Sequence, residues 1–481
     1  MLLLVISLLV AAAYFVEVPK NPVGFFVDEA SIAYNAHTIS SRGVDEYGKT
    51  FPLYFRAFGE YKSPVYIYAL AAIFKFTGPS ILVARMFSAV LGLATALLLG
   101  LLALRITGRR LTGLMVFIAA GLTPWLFEVS RLVFEVALFP GLLVIFLLLL
   151  HAASRRGEWS WPIPAGLGLL LGLMVYTYSG GRLLAPLLSL GLLFFITRRR
   201  WRAVVLTFVV FGFTLLPMAV FTLRHPEALG ERFKYVTYIK PGDTNTQIAA
   251  RFVQNYIQNF SARSWLLKGD PEPRHHLPGM GSMLVGTTIL ALIGLLVIVL
   301  RHRREAWWRF VLYGLAVSPI PASLTLDHFH SLRLIALPVF MLVLMVPAIE
   351  FFLNPNGRWE KPCQVSLAAL VFAIILQGAV FQWSFHTSMP RVDAFDSYYP
   401  EILTSALNQT QRPIYLLNKT PAAYVYAFWY ATLRDVNLDH FHSIPHDEPP
   451  PPGAVVISHQ LPCTNCELIF ERGLFQVYRQ R

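Results

Sequence analysis

The sequence predicts a polytopic α-helical membrane protein with a small α/β domain at its carboxyl end. Of its 481 residues, 56% are hydrophobic and 14% are charged, a composition too apolar for an ordinary soluble protein of this length. The apolar residues form repeated runs of about 18 to 25 residues, and each run is long enough to cross a hydrocarbon core about 30 Å thick. We therefore expect many membrane spans rather than one large soluble core.

The distribution of basic residues predicts the sidedness of these spans. A net charge of +13 would also suit a nucleic-acid-binding protein, but the basic residues gather in short hinges between apolar runs, which is the positive-inside pattern of membrane proteins. We therefore expect a lipid bilayer, and no nucleic acid, as partner. The hinges that we place in the cytoplasm are 105–110, 155–156, 198–202, 301–309 and 358–361.

Consecutive hinges bracket two apolar runs each, which predicts about eleven spans and an extracytoplasmic carboxyl terminus. The predicted spans are 1–16, 80–104, 111–129, 132–151, 161–178, 182–197, 203–223, 281–300, 307–323, 332–351 and 363–383. Segment 64–77 is short for a crossing, and counting it would invert every later hinge, so we expect an interfacial or re-entrant helix there. The first run could instead be a cleaved signal peptide; residue 17 onward faces outside either way.

The carboxyl-terminal segment departs from the membrane pattern. It contains the strand-like runs PIYLLN and GAVVIS and a helical run from Ala422 to Thr432. We therefore expect a transmembrane domain over 1–383 and a small extracytoplasmic α/β domain over 384–481. This tail has no phosphate-cradling glycine pattern, so we expect it to shape the substrate site rather than carry out chemistry. Its CTNC motif, Cys463 and Cys466, predicts either a local disulfide or two free thiols.

The first outer loop, residues 17–79, holds the densest group of acidic and basic residues. Asp28 and Glu29 begin a predicted helix, DEASIAYNAHTIS. As helix-capping residues alone they would contribute about 1 kcal/mol. Glu60 and Lys62 lie in the same loop immediately before the predicted interfacial helix, so acid and base converge at one depth. This arrangement favours a reaction site at the membrane surface.

Further charged residues lie at other predicted outer turns. Arg131 is spaced three and four residues from Glu128 and Glu135, and such local pairs contribute only about 0.2 to 0.5 kcal/mol each. An arginine at mid-membrane costs about 2.5 to 3.5 kcal/mol. We therefore expect Arg131 to serve an anionic ligand or a larger network. Arg182, after two glycines, is equally compatible with a turn whose arginine reaches the membrane surface.

Two outer loops combine histidine with acidic and basic residues. The loop LDHFHSLR contains Asp327, His328, His330 and Arg333, a density that favours function over a solvated cap. The long outer loop 224–280 contains GDPEPRHH. Its candidate ligands for a divalent metal are Asp270 and His275, although GDPEP is first of all typical of a turn.

Several motifs in order carry a resemblance to a known family. They are DEASIAYNA, DEYGKTFPLYF, GEYKSPVYIY and VARMFSAVLG, followed by FEVSRLVFE, YTYSGGRLLAP, LLKGDPEPRHH and DHFHSLRLIALP. The chain resembles the GT-C superfamily of membrane glycosyltransferases that use a polyprenyl-phosphate-linked sugar. More narrowly, it is similar to bacterial and archaeal relatives of dolichyl-phosphate-mannose protein mannosyltransferase and of the lipid A aminoarabinose transferase. The resemblance covers most of residues 20–350.

The resemblance implies an inverting glycosyltransferase whose donor is a sugar on a polyprenyl phosphate. Asp28 matches the acidic catalytic position, and Glu29 would orient that acid or the acceptor. The cationic residues expected to hold the donor phosphate are Lys62, Arg131, Arg182 and Arg333. Further candidates for substrate contact are Glu60, Tyr61, Arg85, Asp270, His328 and His330. The resemblance leaves the identity of the sugar open. It also leaves open whether the acceptor is a protein, a lipid or an envelope glycan.

One departure from the family bears on metal dependence. The aminoarabinose transferases carry a glutamate immediately before the lysine, where this chain has Tyr61, with Glu60 one position earlier. A metal cofactor is therefore in doubt, and a divalent metal stays an open alternative.

The alternative function is a transporter or flippase of lipid-linked sugars. Transporters often show paired halves, whereas this sequence shows no internal repeat and gathers its charged residues on one predicted face. Both features favour the enzyme.

Overall fold

The computed structural model describes residues 2–355, 357–388, 393–410, 412–418, 424–445 and 448–481. The chain forms two compact units. The first, here called the helical unit, comprises residues 1–16 and 88–388, and the second, the mixed unit, comprises residues 17–87 and 389–481. The first outer loop thus belongs to the same unit as the carboxyl-terminal residues, a grouping that the order of the chain does not indicate.

Helices dominate the structure. In chain order they are α1 (Leu2–Ala13), α2 (Val27–Arg42), α3 (Pro64–Thr77), α4 (Ile81–Thr107), α5 (Arg110–Leu122), α6 (Pro124–Val129), α7 (Phe139–Ser154), α8 (Pro162–Thr177), α9 (Gly181–Leu190), α10 (Trp201–Arg224), α11 (Glu231–Val236), α12 (Asn245–Gln258), α13 (Val285–Val297), α14 (Ala306–Val317), α15 (Ile320–Ser323), α16 (Ala336–Leu353), α17 (Glu360–Thr387), α18 (Tyr399–Leu407) and α19 (Tyr424–Leu433). The strands are β1 (Phe55–Ala57), β2 (Glu60–Lys62), β3 (Ile414–Asn418), β4 (Phe441–Ile444), β5 (Val455–His459), β6 (Cys466–Arg472) and β7 (Phe475–Gln480).

Six helical segments in the described part of the chain are long and apolar enough to cross a bilayer. They are Ile81–Thr107, Glu135–Ser154, Trp201–Arg224, Val285–His302, Ala336–Leu353 and Gly357–Thr387. Shorter apolar helices lie at Leu2–Ala13, Pro64–Thr77, Arg110–Leu122, Pro162–Thr177 and Gly181–Phe195. Every predicted span overlaps a helix, and the segment predicted to be interfacial is α3, with the same bounds. The count of about eleven crossings stays a prediction, because several of these helices are shorter than an ordinary span.

The core of the helical unit is formed around α16, which is buried continuously from Ala336 to Ile349. α13 approaches α16 so closely that a Cβ added at Gly294 would lie 1.7 Å from the carbonyl oxygen of Leu344. Glycine is required there because small residues let apolar helices pack backbone to backbone.

Local sequence explains the elements of the mixed unit that carry the charged residues of the first outer loop. The backbone N–H of Phe26 donates to Glu29 across the first turn of α2, and α2 ends at Gly43, whose φ of 71° is left-handed. β1 and β2 form an antiparallel hairpin in which Phe55 opposes Lys62. Its two turn residues, Phe58 and Gly59, both have positive φ, as a tight hairpin that follows strand twist requires.

The carboxyl-terminal residues form a mixed five-stranded sheet of order β4-β3-β5-β7-β6. β3 is parallel to both β4 and β5, β7 is antiparallel to β5 and β6, and α19 follows β3. A sheet domain at the carboxyl end is therefore confirmed, whereas its predicted boundary at residue 384 and its extracytoplasmic location stay predictions. Its strands PIYLLN and GAVVIS correspond to β3 and β5, and the helical run corresponds to α19, except that residues 422–423 of the run lie outside the described residues. Cys463 and Cys466 form a disulfide.

Aromatic side chains join α2 and α3 to the carboxyl-terminal residues within the mixed unit. The Phe25 ring stacks on Trp429 with ring centroids 5.6 Å apart. The Phe74 ring also stacks on Trp429, with ring centroids 6.3 Å apart. The backbone N–H of Phe25 also donates to the carbonyl of Phe395 at 3.1 Å. Trp429 is fully buried. These contacts explain why the first outer loop and the carboxyl-terminal residues form one compact unit.

Candidate active site

Asp28 and Lys62 meet in the mixed unit. The Lys62 ammonium lies 2.5 Å from Oδ1 of Asp28. Lys62 reaches this position because it ends β2 of the hairpin, directly before Ser63 and the first residue of α3. Its side chain is 6% exposed, whereas that of Asp28 is 32% exposed. The structure therefore presents a carboxylate at an accessible surface and anchors it to a buried cation.

Unlike Asp28, Glu29 is buried and pairs with a buried cation. Its carboxylate accepts two hydrogen bonds from Arg85, at 3.1 Å from Nε and 2.9 Å from the terminal nitrogen, and both side chains are 0% exposed. The Arg85 guanidinium also donates to the backbone carbonyls of Pro22 at 2.6 Å and Gly24 at 2.8 Å. These contacts tie the segment before α2 to the first turn of that helix, and they favour a positioning role for both residues.

Glu46 belongs to the same unit and was not singled out by its sequence. Its backbone N–H donates to the side chain of Asn35 on α2 at 3.1 Å, and the Tyr424 hydroxyl donates to its carboxylate at 3.1 Å. Burial raises the pKa of Glu46 to about 7, although the Tyr424 hydrogen bond and the charge of Lys62 act in the opposite direction. The sequence feature that could have marked Glu46 is its position in DEYGKTFP, three residues after Gly43 at the end of α2.

Two further candidates for substrate contact, Glu60 and Tyr61, lie on the hairpin of β1 and β2. Glu60 opposes Ala57 and Tyr61 opposes Arg56 in the strand register, and both are half-buried. Nearby, the Tyr426 hydroxyl donates to Asp396, and burial followed by the charges of Asp396 and Asp28 raises the pKa of Tyr426. The hairpin and α19 therefore contribute polar groups to the surroundings of α2.

Arg131 is buried in the helical unit and donates to backbone rather than standing open to solvent. Its guanidinium donates to the carbonyls of Tyr14 at 3.0 Å and Val16 at 2.8 Å. It also lies 5.7 Å from the ring centroids of both Phe127 and Phe385. Arg131 thus satisfies the carbonyls that follow α1, which explains how an arginine is accommodated among apolar helices.

Arg182 and Arg333 belong to the helical unit, Arg182 as the second residue of α9 and Arg333 in the turn before α16. Arg182, at the start of α9, donates to the carbonyl of Leu229 at 3.2 Å. Arg333 pairs with Asp327 and donates to Thr325 Oγ1 at 3.0 Å. Both arginines therefore donate to oxygen atoms of their own unit.

The two adjacent histidines of the long outer loop have different environments. His276 lies 2.6 Å from Glu128 through Nδ1 and 2.7 Å from the Met280 carbonyl through Nε2. Burial opposes a charged imidazole, but the Glu128 carboxylate and the Met280 carbonyl raise the pKa of His276. Glu128 also accepts from the backbone N–H of Leu277 at 2.6 Å. Glu128 therefore holds the long outer loop in place. Its spacing from Arg131 in the sequence does not predict this role.

Asp270, His275 and His330 come together, whereas His328 does not join them. A ligand atom from each of the three lies within 4.8 Å of the other two. His275 and His330 have ring centroids 4.9 Å apart, and His328 is exposed. The predicted pair of metal-ligand candidates, Asp270 and His275, thus gains a third potential ligand that we had expected to contact substrate.

Comparison with solved structures places the whole chain in one fold class. ArnT from Cupriavidus metallidurans bound to undecaprenyl phosphate matches with TM-score 0.50 and 13% identity, over 99% of this chain and 97% of that one. The archaeal oligosaccharyltransferase AglB from Archaeoglobus fulgidus, in complex with an inhibitory peptide and a dolichol-phosphate, matches with TM-score 0.56 and 12% identity, over 95% and 69%. Arabinofuranosyltransferase AftD from Mycobacteria matches with TM-score 0.50 and 11% identity, over 99% and 39%.

These neighbours are GT-C glycosyltransferases, and at such low identities the similarity shows the fold. No protein-family model and no curated protein matches the sequence. The chain therefore has the GT-C fold and, with its apolar helices, is a multi-pass integral membrane protein.

Replacing Arg85 tests the buried ion pair. Arg85→Met leaves the Glu29 carboxylate buried without its cation, so we expect a loss of about 3–5 kcal/mol in the free energy of unfolding. Thermal unfolding in detergent measures the loss. Glu29→Met together with Arg85→Met is expected to recover part of it, because both buried charges are then absent, although the carbonyls of Pro22 and Gly24 still lack their donor. A matched control is Arg56→Met, at an exposed arginine of the same unit. Equal losses in the Arg85 and Arg56 variants would contradict the assignment.

Glu46 predicts a specific dependence of stability on pH. Its pKa is raised from 4.5 to about 7 in the folded protein, so its contribution to stability is fully present below pH 4.5 and is lost as pH rises through 7. We expect Glu46→Gln to gain about 2–3 kcal/mol relative to wild type between pH 5 and pH 8. Unfolding midpoints across this range measure the difference. Glu467→Gln, at an exposed site, is the control, and a parallel response in both variants would exclude this role for Glu46.

Proposed function

We propose that this protein is an inverting glycosyltransferase that moves a sugar from a polyprenyl-phosphate carrier to an acceptor on the outer face of the membrane. The observation that carries the proposal is the Asp28–Lys62 ion pair, which lies on the motif of the first outer loop in a chain with the GT-C fold. It supplies an accessible carboxylate and a cation at one place, which are the two charges that such a transfer needs.

Asp28 acts as the general base. An acceptor hydroxyl attacks the anomeric carbon, its proton passes to the Asp28 carboxylate, and the bond between the anomeric carbon and the phosphate oxygen breaks with its electron pair on the phosphate. Attack from the face opposite the leaving group inverts the configuration. The partial exposure of Asp28, 32%, leaves room for the acceptor, whereas fully buried Glu29 has none.

Lys62 stabilises the departing phosphate. Negative charge grows on the phosphate oxygens as the bond breaks, and a preorganised cation stabilises that charge most effectively where water is excluded. Lys62 is 6% exposed, and an ammonium group has three N–H donors. It can therefore bind a phosphate oxygen while it still contacts Asp28, which holds base and leaving group at neighbouring positions.

Glu29 and Arg85 position this pair rather than touch substrate. Their bidentate contact and the Arg85 bonds to Pro22 and Gly24 fix the start of α2. Asp28 immediately precedes Glu29 in the same helical turn, so its carboxylate is held toward Lys62. Precise placement of a base relative to its substrate accounts for a large part of catalytic rate.

We assign Arg131 of the helical unit to positioning, because it already holds the carbonyls of Tyr14 and Val16. For Arg182 and Arg333, donor binding stays what the resemblance implies. The carrier is supported by two neighbours of the same fold, one bound to undecaprenyl phosphate and the other to a dolichol-phosphate. The basic hinges support an extracytoplasmic location of the first outer loop and of the carboxyl terminus.

A transfer assay tests the proposed roles. The full-length protein is reconstituted with a panel of radiolabelled polyprenyl-phosphate sugars and a membrane extract as acceptor source, and release of polyprenyl phosphate is measured. We expect Asp28→Asn to reduce transfer by about 10²- to 10⁴-fold at equal abundance, because it removes the base. Lys62→Ala is expected to raise the donor concentration needed for half-maximal transfer and to lower the maximal rate.

Matched controls in the same unit are Asp439→Asn and Lys49→Ala, both at exposed residues, which are expected to retain transfer. Undiminished transfer by Asp28→Asn would reject Asp28 as the base. An effect of Lys62→Ala on acceptor use alone would reject the phosphate assignment. Absence of transfer by wild type across the panel, with movement of labelled donor across the vesicle membrane, would favour a transporter.

A further inference from the structure

Three potential metal ligands meet in the helical unit. Asp270 and His275 lie in the loop between residues 268 and 285, before α13, and His330 lies in the loop between α15 and α16. One ligand atom from each residue lies within 4.8 Å of the other two. The sequence separates His330 from His275 by more than fifty residues, so only the fold brings these side chains together.

One ring nitrogen of each histidine in this cluster is buried without a hydrogen-bond partner in the described part of the chain. His275 is 7% exposed, and the Nδ1 atoms of His275 and His330 are both enclosed and unsatisfied. Nδ1 of His275 lies 3.5 Å from Oδ2 of Asp270, which is too long for a good hydrogen bond. Leaving a buried polar atom unsatisfied costs about 1–3 kcal/mol, and binding to a cation would offset that cost.

Asp270 is already oriented as a metal-binding carboxylate. Its Oδ2 accepts from the backbone N–H and the hydroxyl of Ser331, both at 2.7 Å, and its Oδ1 accepts from the N–H of Glu272 at 2.9 Å. A carboxylate offers about four lone-pair positions, so a position remains for a cation. Partners of this kind fix ligating carboxylates in metal sites.

Neighbouring contacts separate the roles of the adjacent histidines. His276 is occupied by Glu128 and by the Met280 carbonyl, and Glu128 also holds the backbone of Leu277. The loop is therefore fixed on the carboxyl-terminal side of His275. Two adjacent histidines cannot easily bind one ion without a bend in the backbone, but here His330 supplies the second imidazole instead of His276.

We propose that Asp270, His275 and His330 bind one divalent transition-metal ion, with Zn²⁺ as the ion that best suits two imidazoles and one carboxylate. Bonds of about 2.0–2.2 Å bring tetrahedral ligand atoms to about 3.3 Å from one another, so side-chain movements of about 1 Å close the site. The ion links the loop before α13 to the loop before α16 and leaves a fourth position for an oxygen ligand. Binding of this ion does not rest on the proposed transfer reaction.

Zinc binding is measured on the purified full-length protein, prepared with a tag free of histidine and stripped with a chelator. After titration with zinc chloride and gel filtration, metal analysis is expected to find one zinc per chain. Asp270→Asn and His275→Gln are expected to weaken binding by at least about a hundredfold, and Ser331→Ala by about 10- to 100-fold, because it loosens the carboxylate. X-ray absorption of the zinc-loaded wild type is expected to show two imidazole ligands.

The matched control is His328→Gln, an exposed histidine two residues from His330, which is expected to bind zinc as wild type does. Zinc content of the wild type no higher than that of Asp270→Asn would overturn the proposal. Equal loss in His328→Gln, or an absorption spectrum without histidine ligands, would also overturn it. The absorption spectrum and the Ser331 variant keep the test decisive if Asp270→Asn does not fold.

Discussion

The buried ion pair between Glu29 and Arg85 is the interaction on which the proposed chemistry depends. Removing two charges from water is costly, and a bidentate contact with additional hydrogen bonds is the arrangement that offsets the cost. Both side chains are fully buried, and Arg85 also holds two backbone carbonyls. Breaking either member would leave an isolated buried charge, so the first turn of α2 is strongly constrained. That constraint directs the neighbouring residue, Asp28, toward Lys62.

The division of labour between Asp28 and Glu29 follows from the geometry of one helical turn. Consecutive residues on a helix point in directions about 100° apart. One carboxylate therefore faces the interior, where it accepts from Arg85 and from the N–H of Phe26, and the other faces an accessible surface. The same two residue types, adjacent in sequence, thereby acquire a positioning role and a proposed catalytic role.

Buried arginines of this apolar chain satisfy backbone carbonyls. Arg85 donates to the carbonyls of Pro22 and Gly24, and Arg131 donates to those of Tyr14 and Val16. A guanidinium has five N–H donors, so it can satisfy several carbonyls that lack partners at the ends of helices. Arginine in an apolar segment is therefore weak evidence for an anionic ligand unless its contacts are known.

Local patterns of the sequence predicted the apolar helices, α2 and the strands β3 and β5, because each depends on neighbouring residues. They also placed Asp28 and Lys62 in one outer loop, but they did not predict the direct contact of these two residues, which lie 34 residues apart. The partners of Glu29, Glu128 and Asp270 could not be predicted in the same way. Arg85, His276 and Ser331 lie 56, 148 and 61 residues from these acids, and only tertiary packing brings them together. Tyr424 likewise reaches Glu46 across 378 residues, which explains why Glu46 carried no signal of burial.

The most direct test of the proposed active site is an experimental structure of the full-length protein with a polyprenyl phosphate bound. We expect a phosphate oxygen within about 2.7–2.9 Å of the Lys62 ammonium, with the Asp28 carboxylate beside it and the Glu29–Arg85 contact unchanged. A phosphate bound elsewhere, with Lys62 still engaged by Asp28 alone, would contradict the assignment of these two residues as base and phosphate anchor.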